Sequence, residues 1–546
     1  MQQVSCSKED KVLTTLCLCL LLVQVILVFY YNLTDLTRSL DADAAGAIYH
    51  ADRIIQEGTV HLSDWKLTTS LELDSSIFFA IPLTFLTHDI FRSVGLANLI
   101  WIIIYLLVIE RLTANCGMKL MYRLLAMTAV IIPYSFGMLE YFNMLFYSAS
   151  QYTVRVLVPL VMILTLQYGR KLSEAAVPCS DRLSQGTPPV LTRLRSARIL
   201  SLILLLALLL LSTISMGIYT TICGIVPIML GLFYLWYKRS FRNLCRSDLI
   251  TVISVVPVII IGMMIYHSLM DTPSRNWMSP ATADGWETNI LQALKGVFQI
   301  FGSLPGENVA AASLDGAFYL IRGMYVIVIL FFFLRQMFRQ SLFSRQKNHA
   351  DLSVCLFAIL FLYNLVLMMV LDTRYPGNNE IEYRYMLIGI VPLIIHGFLC
   401  AGKWIETHEK LQEGFLRIIL IIGVIGLMIA GNSTVMKNLG FSQYEKDIVD
   451  QISRMPVDSV LFIDSEEAGI VCRSMDLAHH YGTYSTESNS LILSHSSDNA
   501  SATPEYFTGT TAVVIPSGIA LPEQFSSYTW QAKVSYFDIY TGTGGL

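Results

Sequence analysis

Eleven apolar runs punctuate this chain, and no fold that leaves them in water is open to it. They span roughly Val12–Tyr31, Leu96–Leu112, Met121–Tyr134, Tyr152–Tyr168, Ile199–Met216, Ile218–Tyr237, Leu249–His267, Ala317–Leu334, Leu352–Leu371, Tyr385–Ala401 and Leu416–Val435. A helix needs about 20 apolar residues to cross a bilayer, so several runs sit near the minimum. Hydrophobic residues make up 54% of the chain and charged ones only 14%. With a mean hydropathy of +0.56, the expected fold class is mainly α, a polytopic helical membrane protein of about 11 transmembrane helices.

Lys8 and Lys11 precede the first run, which ends at Tyr30 and Tyr31 with no small-residue cleavage site. It therefore reads as a retained membrane helix, not a signal peptide. Basic clusters follow at Arg111/Lys119/Arg123, Arg170/Lys171/Arg182/Arg193/Arg195/Arg198, Lys238/Arg239/Arg242/Arg246, Arg335/Arg339/Arg345/Lys347 and Lys403/Lys410/Arg417. All fall in alternate loops, on the side of Lys8 and Lys11. Positive charge marks the cytoplasmic side, so the N-terminus is expected inside. An odd number of spans then puts the C-terminus outside.

The loops assigned to the outer side are the elaborate ones, chiefly 33–95 and 268–316, and elaborated loops over a rigid body are where binding and catalysis concentrate. In Ser39–Trp65, Ala44, Ala47, Ile48, Ala51, Ile54 and Ile55 recur at three- and four-residue steps, opposite Asp52, Arg53, Gln56 and Glu57. That pattern predicts a helix lying on the outer membrane surface, with Asp41 or Asp43 at its start and Gly58 at its end. The plain alternative for this Asp-Ala-Asp is a helix cap and nothing more. A second amphipathic stretch, Ile290–Phe301, places Ile290, Leu294, Val297, Phe298 and Phe301 on one apolar face.

From Lys437 the composition becomes that of a soluble domain, dividing the chain into a membrane part, 1–436, and an extracytoplasmic part, 437–546. Ser459–Asp464, Thr511–Pro516 and Lys533–Tyr540 read as strands, and Tyr444–Arg454 and Glu466–His479 as helices, which predicts a small α/β domain. It carries thirteen Asp and Glu against five Lys and Arg, and the whole chain has a net charge of −4. No nucleic-acid partner is expected. Of ten cysteines, Cys17, Cys19, Cys223, Cys355 and Cys400 lie in apolar runs and Cys472 stands alone in the polar region, so no disulfide is expected there. His479 and His480 could ligate a metal, but neighbouring histidines near a helix end are more often polar surface. No complete zinc, nucleotide-binding or nucleophile-elbow motif is found.

The arrangement resembles the GT-C superfamily of membrane glycosyltransferases, which draw on polyprenyl-phosphate-linked sugars. Three features carry the resemblance: a first span followed by a long outer loop in which Asp43 precedes Tyr49 and Gly58; Leu71–Trp101, similar to that family's second surface helix running into span two; and Glu382-Tyr383-Arg384-Tyr385 ahead of the proline-containing IGIVPLI. The resemblance implies transfer of a sugar from a polyprenyl-phosphate donor to a cell-envelope glycan, lipid or protein acceptor on the outer face. It implies Asp43 as general base, with Asp41 second, since an attacking hydroxyl must lose its proton. The leaving phosphate gains charge and needs cations. Arg384 and Arg374, beside Tyr383, are candidates, with Arg53 behind them. Arg384 could equally be an interfacial anchor. Glu140 could bind acceptor or a divalent ion, and Asp74 could line the cleft or be structural. The sequence requires no cofactor and leaves metal dependence open. Neither Lys-Pro-Pro nor Trp-Trp-Asp, found in some members, is present, so the acceptor stays open.

Two other classes fit the same pattern. A lipid-linked glycan transporter or flippase would want ionisable groups at mid-membrane, whereas most charges here sit at span ends, with Arg155 and Arg322 as partial exceptions. A non-catalytic membrane protein with a cell-surface binding domain would leave the two amphipathic segments and Asp41/Asp43 without a role. Sequons occur at Asn32, Asn432 and Asn499. Compact outer loops and the lone Cys472 favour a bacterial plasma membrane, with membrane lipids as surroundings.

Overall fold

The computed structural model describes residues 8–34, 51, 54–55, 58–59, 73–135, 141–147, 150–176, 189–238, 246–269, 279–281, 285–305, 309–339, 349–373, 381–438, 451, 454–457, 459–464, 494–495, 509–534 and 537–544. Most of Ser39–Trp65 and of the expected helices Tyr444–Arg454 and Glu466–His479 lies outside them.

Every one of the eleven apolar runs falls on a helix. In chain order the helices are α1 (Lys8–Thr34), α2 (Ser76–Thr87), α3 (Ile90–Asn115), α4 (Leu120–Val130), α5 (Tyr141–Phe146), α6 (Thr153–Ala176), α7 (Pro189–Met216) and α8 (Val226–Lys238). They continue as α9 (Arg246–Leu269), α10 (Trp286–Ile300), α11 (Leu314–Arg339), α12 (His349–Val370), α13 (Leu387–Ile405) and α14 (Lys410–Asn438). Eight of these are long and apolar enough to cross a membrane: α1, α3, α7, α9, α11, α12, α13 and α14. The other three runs fall short for visible reasons. Helix α4 stops before Pro133, whose ring disfavours helical backbone in the residue preceding it. Helix α6 carries Arg155, Gln167 and Arg170 in its length. Helix α8 is preceded by a π-turn, Thr221–Ile225, that interrupts the regular ladder. The Asn364 amide covers the interruption by donating to the Cys223 carbonyl at 2.9 Å.

Burial separates helices that look alike in sequence. The apolar window of α13 is wholly buried, whereas only 22% of that of α1 or α9 is. Lipid provides no hydrophobic drive between helices, so a central helix needs close packing. Gly397 supplies some of it: a Cβ there would meet Ile329 Cγ2 on α11 at 2.9 Å.

Within Leu71–Trp101 a short helix, α2, forms ahead of the long helix α3. His88 adopts a left-handed conformation (φ 55°) and closes it with an N–H bond to the Thr84 carbonyl, and α3 then starts at Ile90. In the preceding segment Gly58 has φ +68° and donates to the Ile54 carbonyl at 3.0 Å, the helix stop predicted for it. Ala51 and Ile54 are buried, and Ala51 belongs to the core of the helical body. At these points the apolar face covers protein, not lipid.

The described C-terminal residues form one five-stranded sheet. Its strands are β3 (Ser459–Asp464), β4 (Ser494–His495), β5 (Gly509–Pro516), β6 (Thr529–Val534) and β7 (Phe537–Gly544), in the order β4-β3-β5-β7-β6. Strand β3 runs parallel to β4 and β5, so crossovers join them, in keeping with an α/β unit. Strand β7 is antiparallel to both β5 and β6. The single strand expected over Lys533–Tyr540 is instead the end of β6 and the start of β7. The apolar–polar alternation slips phase between Tyr536 and Phe537, and Val534 pairs with Phe537. The short strands β1 (Ser279–Pro280) and β2 (Leu371–Asp372) pair antiparallel above the helices.

Candidate functional site

Arg155 is one helical turn into an apolar helix, where an uncompensated charge would be very costly. Its partner is Asp74, in the turn leading into α2. Arg155 Nε donates to Asp74 Oδ2 at 2.8 Å and Nη2 to Oδ1 at 3.1 Å. Both side chains are buried, Asp74 completely. The Ser215 hydroxyl accepts the Asp74 backbone N–H at 2.8 Å, and the Ser212 hydroxyl donates to Oδ2 at 3.3 Å. The segment before α2 is thus tied to α6 by an ion pair and to α7 by hydrogen bonds.

From this pair a file of aromatic rings leads to the Glu382–Met386 segment. The Arg155 guanidinium lies 5.0 Å from the centre of the Tyr152 ring. Tyr152 meets Tyr219 edge-on at 6.0 Å, and Tyr219 meets Tyr385 at 5.7 Å. The Tyr219 hydroxyl also donates to the Tyr385 carbonyl at 3.1 Å. At the far end Arg384 lies 5.5 Å from the Tyr385 ring and bonds Glu382 Oε2 through Nε (2.8 Å) and Nη2 (2.7 Å). The file therefore has an acid and a cation at each end and three tyrosines between. The hydroxyls of Ser75 and Ser76, next to Asp74, and of Thr221, two residues from Tyr219, are buried without a partner among the described residues.

The Tyr383–Met386 segment is a 3-10 turn just before α13, and α10 roofs it. Gly296 makes that contact possible, because a Cβ there would meet Met386 Cε at 2.7 Å and Tyr383 Cβ at 2.9 Å. The Asn289 amide donates to the Leu371 carbonyl at 3.0 Å, and Trp286 Nε1 to the Ala281 carbonyl at 3.2 Å, fixing the start of α10. Helix α10 forms where the sequence predicted it, but its apolar positions divide. Ile290 and Leu294 are exposed together with Leu291, whereas Val297 and Phe301 are buried with Ala293 and Ile300. Small residues, Ala293 and Gly296, form the protein-facing side, and a reading based on large apolar residues alone could not see it.

Of the residues singled out from sequence, Asp74, Tyr383 and Arg384 lie in this region. Asp41, Asp43, Arg53, Glu140 and Arg374 lie outside the described residues. Arg155 had been noticed only as a charge near a span end; its pairing with Asp74, 81 positions away, needed the fold. Tyr152 and Tyr219 carry no signal in the sequence, since single aromatics at span ends are what any membrane interface shows, and Glu382 is marked there only by the motif that contains it. Arg322, the other exception, is buried and donates to the carbonyls of Gly302 (3.1 Å) and Ala430 (2.7 Å) and to the Thr434 hydroxyl. It joins α11 to α14. Among the described residues no group of three or more His, Cys, Asp or Glu could hold a metal ion.

No family model matches the sequence, and no curated protein matches it significantly. Solved structures do match. ArnT from Cupriavidus metallidurans in the apo state aligns with a TM-score of 0.54 and 10% identity, covering 96% of this chain and 98% of that one. The same protein bound to undecaprenyl phosphate aligns at 0.55 and 10% identity, covering 96% and 97%. At this identity the likeness is one of fold, and it extends over nearly the full length of both chains. The chain is a multi-pass helical membrane protein that shares the fold of ArnT.

Proposed function

We propose that this protein is a membrane glycosyltransferase that moves a sugar from a polyprenyl-phosphate-linked donor to a glycan, lipid or protein acceptor of the cell envelope. One observation carries the reading: a fold shared over nearly its whole length with a protein whose structure holds undecaprenyl phosphate. The Glu382–Arg384 turn and the Asp74–Arg155 pair, joined by three tyrosines, supply buried ionisable groups at one end of the helical body. Buried charges of this kind are costly to keep and tend to mark function.

In this reading Asp43 takes the proton from the acceptor hydroxyl, with Asp41 beside it as cap or partner. Arg384 and Arg374 meet the leaving phosphate, whose charge grows in the transition state, with Tyr383 and Arg53 alongside and Glu140 on the acceptor side. Glu382 holds the Arg384 fork in one orientation, so an entering phosphate shares that cation with a carboxylate. Asp74 acts through Arg155, fixing the first outer loop to the body, and is a positioning residue.

The test is donor cleavage. Purified protein given polyprenyl-phosphate-linked sugars should release polyprenyl phosphate and transfer or hydrolyse the sugar. Passage of the intact lipid-linked sugar across a vesicle with no bond broken would instead make it a transporter. The reaction is placed on the outer face. Cysteines introduced at Ser63 and Ser526 should react with a membrane-impermeant thiol reagent in intact cells, while one at Ser184 should not; the reverse pattern overturns the orientation.

A further inference from the structure

At the end of α13 away from the Tyr383–Met386 turn, a groove of about 560 Å³ opens between α13 and α14. That volume falls within the range of ligand clefts, roughly 300–1,000 Å³. Its walls are Trp404, His408, Leu411, Gln412, Phe415 and Leu416. Leu411 and Phe415 are 88% and 65% exposed.

Around the groove the aromatic wall is held firmly. The Trp404 ring is packed edge-on by His408 at 4.6 Å and touched by Phe332 at 5.7 Å. His408 Nδ1 lies 2.9 Å from the Trp404 carbonyl and donates to it. Arg335 of α11 sets its guanidinium 5.5 Å from the indole centre, which brings a cation to the rim. Nearby acids are taken up elsewhere: Glu406 by Lys119, and Glu413 by Lys119 and Arg417. In the turn, Glu409 is followed by Lys410. Among the described residues no carboxylate forms an ion pair with Arg335.

We infer that this groove binds an anionic phospholipid, one acyl chain lying along Trp404, Leu411, Phe415 and Leu416 with the phosphate against Arg335. Two observations select that occupant. Exposed apolar residues continue along the groove's own helix α14 (Ile418, Ile419 and Ile422) and along α11 (Phe331, Leu334 and Phe338), surface that a hydrocarbon chain can cover. The rim is cationic where a headgroup phosphate would sit. The inference is independent of the proposed transfer reaction, because the groove lies at the opposite end of α13.

The full-length protein in detergent, titrated with phosphatidylglycerol and with phosphatidylcholine of the same acyl chains, tests it by native mass spectrometry. Phosphatidylglycerol adducts should survive gas-phase activation that strips phosphatidylcholine. Arg335→Gln should reduce them about fivefold, the worth of one basic residue at an anionic surface. Phe415→Ser should reduce both lipids, and unchanged thermal melting would show that each variant is folded. Equal retention of the two lipids, or full retention in Arg335→Gln, would overturn the proposal. So would a dimer in place of lipid adducts that Phe415→Ser dissolves, which would make a second copy the occupant.

Discussion

The two ends of the helical body handle charge in opposite ways. At the end holding Asp74 and Arg384, two ion pairs are buried and lie against tyrosine rings, while Arg92–Asp89 and Lys437–Asp315 stand exposed. Fifteen residues further along α6, roughly 22 Å by helical rise, Arg170 bonds Asp248 Oδ2 at 3.0 and 2.7 Å, tying α6 to α9. Around it Arg417 holds Asp10 and Glu413, Lys119 reaches Glu406 and Glu413, and Arg123 bonds Glu110. These contacts staple helix ends of different helices, and several are open to water, where each is worth little. At the first end the two buried pairs instead sit against tyrosine rings, where solvation is poor. Stability alone gives little reason to do that, because a buried pair often breaks even against apolar packing.

This contrast can be broken by substitution. The largest effect is expected at the buried pairs. Asp74→Ala leaves Arg155 uncompensated and should cost about 3–5 kcal/mol of stability, with activity lost as the first loop detaches. Asp248→Ala should cost a comparable amount, softened because Arg170 is partly exposed, yet leave the turnover of the folded fraction intact. If both lose turnover per folded molecule equally, the two ends do not differ in kind.

Asp43→Asn comes next. Asparagine caps a helix nearly as well as aspartate, so melting should hold while turnover falls by about two orders of magnitude. Asp41→Asn should cost less. An Asp43→Asn enzyme with full activity would end the base assignment, and loss confined to Asp41→Asn would move the base by two residues.

Arg384→Ala should raise KM about tenfold, because a charge-assisted contact to phosphate is made in ground and transition states alike. Glu382→Gln, freeing Arg384 from its carboxylate, should shift KM the other way. A pair of unchanged KM values would make the turn a structural anchor.

The smallest effect belongs to the opposite end. Lys119→Ala removes a half-exposed cation from Glu406 and Glu413 and should change stability by less than about 1 kcal/mol, with no effect on turnover. A large loss there would mean that the staples matter more than their exposure suggests.

The sequence by itself determined the class and the order of the helices, because bilayer thickness and backbone hydrogen bonding leave an apolar run of that length one solution. It also located α10, since amphipathic period is a local signal, while Leu71–Trp101 and Glu382–Tyr385 were marked only by the family resemblance, and Tyr385, read as the start of a span, lies in a 3-10 turn. The sheet was legible in β3 and β5 for the same reason. What only the tertiary structure decided was which helix is central and which charge meets which. Helices α1 and α13 are both apolar, yet one faces outward and the other is enclosed. In lipid that choice rests on close packing, at sites such as Gly397 against Ile329 and Gly296 against Tyr383, and not on hydrophobicity. Asp74 and Arg155 stand 81 positions apart, and neither carries a local mark of the other. Their pairing follows from the need to compensate a charge out of water, a need the sequence states and only the fold can meet.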